Sequence, residues 1–93
     1  MELEEIRKEL DEIDSKIVML YEKRLMLSES IAACKHMSGL NIYDPKREVI
    51  KINQVVASVV DENDEDGVRE LYELLMKHSK IRQQQIIDKL SEQ

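Results

Sequence analysis

Residues 3–37, LEEIRKELDEIDSKIVMLYEKRLMLSESIAACKHM, decide how this chain folds. Leu3, Ile6, Leu10, Ile13, Ile17, Leu20, Leu27 and Ile31 recur in alternating steps of three and four, interrupted only at position 24. That spacing is one face of an α-helix. Neither Gly nor Pro intervenes before Gly39. The spacing therefore predicts one helix from about Leu3 to Met37, roughly 50 Å long at 1.5 Å per residue.

The remaining chain supplies two shorter helices. SGLNIYD, residues 38–44, reads as a loop. In YDPKREVI, residues 43–50, Asp44 can cap a helix and Pro45 fits its first turn, where a missing N–H costs nothing. A second helix is expected from about Pro45 to Val60, with Ile50, Ile52, Val56 and Val59 on its apolar face. The acidic stretch DENDEDG, residues 61–67, reads as a solvated connector with helix-start signals. A third helix is expected from about Val68 to Leu90, with Leu71, Leu75, Ile86 and Leu90 facing inward. Two short helices cannot cover the first one along its whole length. An exposed apolar strip of that size implies a partner, most economically a second copy of the chain.

Bulk properties narrow the function. The 93 residues (1–93) make one domain, near the lower limit for a self-sufficient core, and that core must be aliphatic because there is no Phe or Trp. The net charge of −6, with no clustered Lys and Arg, argues against nucleic acid as a partner. No segment is apolar enough to span a bilayer, and the first residues lack a signal-peptide pattern. The single Cys excludes an internal disulfide framework and points to a cytoplasmic protein. Cys34, His36 and His78 lack a metal-ligand spacing, and no phosphate loop or nucleophile elbow is present, so neither metal nor cofactor is expected.

Polar residues stand where core is needed. Arg24 fills the missing step in the first helix's stripe, as a structural ion pair or facing an anionic ligand; taken alone, the pair is the better reading. Lys35, eleven residues on, returns to within about 20° of Arg24 around the helix, although a solvated position explains it equally well. Glu48 sits at the edge of the second helix's apolar face, with Arg47 beside it. Ser79 and Gln83, four apart, share a face of the third helix, as satisfied core polars or as ligand contacts. His78 and Arg82 read as surface side chains, and Cys34 as a small buried hydrophobe. Arg7 lies about 25 Å from Arg24 along the helix, so one small ligand cannot touch both within a chain. In an antiparallel dimer of first helices, Arg7 of one copy approaches Arg24 and Lys35 of the other. Together these residues suggest a site for a small polyanion.

Over nearly its whole length the sequence resembles the all-helical class of chorismate mutases. RKELDEIDSKIVMLYEKR, residues 7–24, is similar to that family's first helix, with Arg7, an acidic step at Glu12 to Asp14, and Arg24. Lys35 follows at the family's spacing. DPKRE matches a D-x-x-R-E motif at Asp44, Arg47 and Glu48, and HSKIRQQ carries Ser79 and Gln83. The resemblance implies an all-α fold in which three-helix protomers intertwine into a homodimer with two active sites. It implies conversion of chorismate to prephenate, an intramolecular [3,3] rearrangement towards phenylalanine and tyrosine that needs no nucleophile, metal or redox cofactor. By the same resemblance, Arg24 and the partner copy's Arg7 grip the substrate carboxylates, and Lys35 and Gln83 donate to the ether oxygen. Ser79 supports a carboxylate, Glu48 accepts from the ring hydroxyl, and Asp44 and Arg47 order the helix start. These residues leave a local charge of +2, which suits a dicarboxylate held at close range. Two alternatives compete: an isochorismate–pyruvate lyase on the same fold, and a non-catalytic helical dimer in which Arg24 and Lys35 serve ion pairs.

Overall fold

The computed structural model describes residues 1–92. Its order is α1 (Leu3–Ser38), α2 (Pro45–Ala57), a short 3-10 turn (Glu62–Asp64) and α3 (Glu65–Ser91), with no strand among the described residues. The fold is all-α, as the helical spacing predicts.

The boundaries follow local chemistry. Gly39 ends α1 in the left-handed region, at φ 68°. There its N–H reaches the His36 carbonyl at 3.3 Å and the Leu40 N–H reaches the Lys35 carbonyl at 2.8 Å, a closure that satisfies carbonyls the helix end would leave open. At the start of α2, an Asp44 carboxylate oxygen accepts the Arg47 N–H at 3.1 Å, and Pro45 occupies the first turn. α2 stops at Ala57, three residues short of the expected Val60. The Ser58 hydroxyl donates to the Val55 carbonyl at 2.7 Å, and the Ser58 and Val59 N–H groups reach back only three residues. The turn tightens, and β-branched Val59 and Val60 do not extend it.

α3 begins earlier than expected, at Glu65 rather than Val68. Asp61 accepts the Asn63 N–H at 2.9 Å and opens the 3-10 turn that leads into it. Glu65 and Asp66 then occupy α3's first turn, where negative charge complements the helix dipole. Part of the acidic stretch is thus helix, although all seven residues are exposed.

α3 is the centre of the protomer. It packs against α1 on one side and α2 on the other, and those two meet α3 rather than each other. The buried residues of α1 are Leu25, Ser28 and Ala32, an i, i+3, i+7 set that seats the C-terminal half of the helix on α3. This is a different face from the apolar stripe. Leu3, Ile6, Leu10, Ile13, Ile17 and Leu20 are all 40–60% exposed, and Leu27 and Ile31 remain open as well. The N-terminal half of α1 therefore projects as an arm, and the protomer extends 55 Å in its longest dimension. Val56 and Met76 complete a small core. Ile50 and Leu71, expected inward, are about half exposed, and Cys34 is exposed rather than buried.

Candidate active site

Because α1 and α2 flank α3 without meeting, a cleft opens between them. It holds a cavity of about 370 Å³. Of the eight residues singled out from the sequence, Arg24 and Lys35 line it from α1, Asp44, Arg47 and Glu48 from the start of α2, and Ser79 and Gln83 from α3. Arg7 is the exception. It lies on the exposed arm of α1, outside the cavity of its own protomer.

Arg24 makes the contact that ties α1 to α3 across the cleft. Its guanidinium donates to the Ser79 hydroxyl and, at 3.4 Å, to the Leu75 carbonyl, with the Tyr72 ring 6.0 Å away. All three partners are neutral. Ion pairs among the described residues join Lys80 to Glu48 and Arg82 to Glu29, so the structural ion pair expected of Arg24 does not form. A half-buried guanidinium on neutral partners keeps its charge available for an anion.

Ser28, which the sequence reading passed over, supports this arrangement. Ser28 is 4% exposed, and its hydroxyl lies 3.0 Å from both the Ser79 hydroxyl and the Arg24 carbonyl. With Arg24 on one lone pair of the Ser79 oxygen, the Ser79 proton is left for a ligand when the single Ser28 proton turns to Ser79, and goes to Ser28 when that proton serves the Arg24 carbonyl. The signal was present: Ser28 is one turn from Arg24, between Leu25 and Ala32, on a face that has to be buried.

Among the described residues two side-chain acceptor atoms are buried without a partner, one carboxylate oxygen of Glu48 (Oε2) and the side-chain oxygen of Gln83 (Oε1). Gln83 is only 7% exposed. Buried polar groups are nearly always paired, so these two acceptors are available to a donor from outside the chain. Because the amide's oxygen and nitrogen are interchangeable by rotation, Gln83 can offer the cavity either an acceptor or a donor. Lys35 currently donates to the Ile42 carbonyl at 3.3 Å, which ties the loop before α2 to α1.

Lys51 and Lys80 also line the cavity. Five cations (Arg24, Lys35, Arg47, Lys51, Lys80) face two carboxylates (Asp44, Glu48), a local charge of +3 before any contribution from Arg7. The sequence-based expectation of +2, which included Arg7, was too low because ordinary surface lysines carry no motif. Elsewhere, His78 is half-buried rather than fully exposed, with its Nδ1 2.8 Å from the Tyr21 hydroxyl. Arg82 pairs with Glu29 at 2.9 Å.

The cleft is cationic and floored by buried neutral donors and acceptors, an arrangement whose charge suits a small polyanion. The chain belongs to the chorismate mutase type II family, which it matches over residues 6–84. A chorismate mutase of Methanocaldococcus jannaschii is 32% identical over 87 residues, covering 92% of this chain and 88% of that protein. The T-protein of Haemophilus influenzae is 40% identical over 47 residues, 50% of this chain and 12% of that protein. A bifunctional chorismate mutase/prephenate dehydratase of Aquifex aeolicus is 36% identical over 61 residues, 59% of this chain and 17% of that one. The chain thus spans only a small part of the last two relatives. No solved structure matches it significantly. Family membership makes the chain an enzyme, an isomerase with chorismate mutase activity.

The cap at Asp44 gives a direct test of how the site is positioned, since Arg47 and Glu48 sit in the turn it stabilises. Asp44→Ala is expected to lower unfolding free energy by about 1 kcal/mol, and Asp44→Asn by only a few tenths, because Asn also caps. Urea denaturation of the two variants measures the difference.

Proposed function

We propose that this cavity, completed by the N-terminal arm of a second copy, binds chorismate and converts it to prephenate by holding the substrate and stabilising charge, without covalent participation. The observation that carries this reading is Arg24 seated on neutral partners beside the orphaned acceptors of Glu48 and Gln83.

The rearrangement is internal to the substrate. A carbon–carbon bond forms between the enolpyruvyl methylene and the ring as the ether carbon–oxygen bond breaks. Atoms and electrons balance without any proton passing to the protein. What remains for the protein is geometry and electrostatics. Arg24 takes one carboxylate, suited to it by the planar fork of the guanidinium, and the Ser79 proton supports a carboxylate. Lys35 and Gln83 donate to the ether oxygen as negative charge grows there, Lys35 after leaving the Ile42 carbonyl. Glu48 accepts from the ring hydroxyl. Asp44 holds the helix start, and Arg47, exposed at the rim, adds positive charge on the substrate's side.

Arg7 of the partner copy supplies the second carboxylate clamp. Among the described residues the protomer buries only four hydrophobic side chains, Leu25, Ala32, Val56 and Met76, and it leaves the α1 stripe open. A second copy's α1 is the complementary occupant, since the same strip is present on both chains and a two-fold contact pairs it with itself. A homodimer in which each arm closes the other's cleft accounts for the open stripe and for Arg7's distance from its own cavity. No helix among the described residues is long and apolar enough to cross a membrane. A cytoplasmic setting fits the single free Cys34, and residues 1–93 act as one catalytic domain.

Following chorismate loss in the ultraviolet, with isochorismate as the comparison substrate, tests the reaction. Turnover of chorismate to prephenate is expected; pyruvate release from isochorismate at a greater rate would instead establish the lyase, and no turnover of either would leave a helical dimer. The shared site is tested by mixing. Arg7→Ala and Lys35→Ala chains, each inactive alone, are expected to recover activity when exchanged into heterodimers, because one of the two sites then has both residues intact. No recovery in heterodimers confirmed by native mass spectrometry would place Arg7 within its own chain's function.

A further inference from the structure

Lys80 lies inside HSKIRQQ without a role of its own in that motif, yet it makes two contacts at the start of α2. Its ammonium lies 3.1 Å from Oε1 of Glu48 and 4.9 Å from the centroid of the Tyr43 ring. Tyr43 and Glu48 stand on either side of the capping residue Asp44, so one cation from α3 grips the helix start from both directions. Glu48's other oxygen, Oε2, is buried and has no partner, although a carboxylate oxygen seeks donors through two lone pairs.

We propose that Lys80 is a positioning residue that sets the enzyme's preference for a substrate bearing a ring hydroxyl. Fixed through Oε1, the Glu48 carboxylate, which lines the cavity, keeps Oε2 as its free acceptor. Chorismate carries one hydroxyl, on its ring, and that is the donor Oε2 is placed to meet. Lys80 also balances the charge of Glu48, so a carboxylate can line a site for a dianion without repelling it. A site built around a hydrogen bond to a hydroxyl rejects the analogue lacking it, because a buried polar group is then left unpaired. The inference rests on the mutase reading above and adds to it the residue that makes Glu48 selective.

The test compares chorismate with its ring-deoxy analogue, on wild type, Lys80→Met and Lys80→Arg. The Lys80 side chain is 36% exposed, so neither change disturbs the core. Lys80→Met is expected to lower kcat/KM for chorismate by roughly 10- to 100-fold, with a much smaller loss for the deoxy analogue, so that the preference between them collapses. Lys80→Arg, which keeps the cation, is expected to restore most of that preference. An unchanged preference in Lys80→Met, whatever its absolute rate, would overturn the proposal. Wild-type protein inert towards chorismate would overturn the mutase reading itself, a separate outcome visible before any variant is made.

Discussion

Arg24 reaches from α1 to α3 and donates to the Ser79 hydroxyl and the Leu75 carbonyl, and the rest of the site is arranged around that contact. A guanidinium drawn out of water normally finds a carboxylate, because the charge otherwise goes uncompensated. Here it finds neutral oxygens, one of them steadied by buried Ser28. The arrangement holds the cation in place without neutralising it. Its geometry is settled before any ligand arrives, and preorganisation of that kind is what an electrostatic catalyst requires.

The same choice weakens the protomer. Ser28, Ser79 and Gln83 occupy buried positions that aliphatic side chains would fill in a protein built for stability alone. Four buried hydrophobic residues are a small core for this length. In the proposed homodimer a second copy would cover the open stripe of α1 and offset that weakness, and the same association would bring Arg7 to a cleft that it does not line within its own chain. On this account stability and catalysis draw on one interface.

Much of this was legible in the residues. The alternating steps from Leu3 to Ile31 gave α1 nearly to the residue, and its interruption at Arg24 marked the site. Glu48, read as a carboxylate at the edge of an apolar face, is that in space, with one buried, unpartnered oxygen. Other features were hidden for physical reasons. The stripe does not identify the face that packs within the protomer, because one helix serves two interfaces and the α3 contact uses Leu25, Ser28 and Ala32 instead. The ends of α2 and α3 shifted because a serine hydroxyl and a pair of acidic residues, rather than the apolar pattern, decide where those helices stop and start. Lys51 and Lys80 were invisible because a lysine at a cavity rim has the same local sequence signature as one in solvent.

Replacing Arg24 by Met tests the central claim most directly, since Met keeps much of the side-chain volume while removing the charge and its hydrogen bonds to Ser79 and Leu75. The account predicts that chorismate turnover falls by at least on the order of 10²–10³ while the thermal unfolding midpoint changes little, because relief from holding a half-buried charge on neutral partners offsets the two hydrogen bonds lost. Turnover within a few-fold of wild type, or a lowered midpoint with turnover per folded molecule intact, would contradict it.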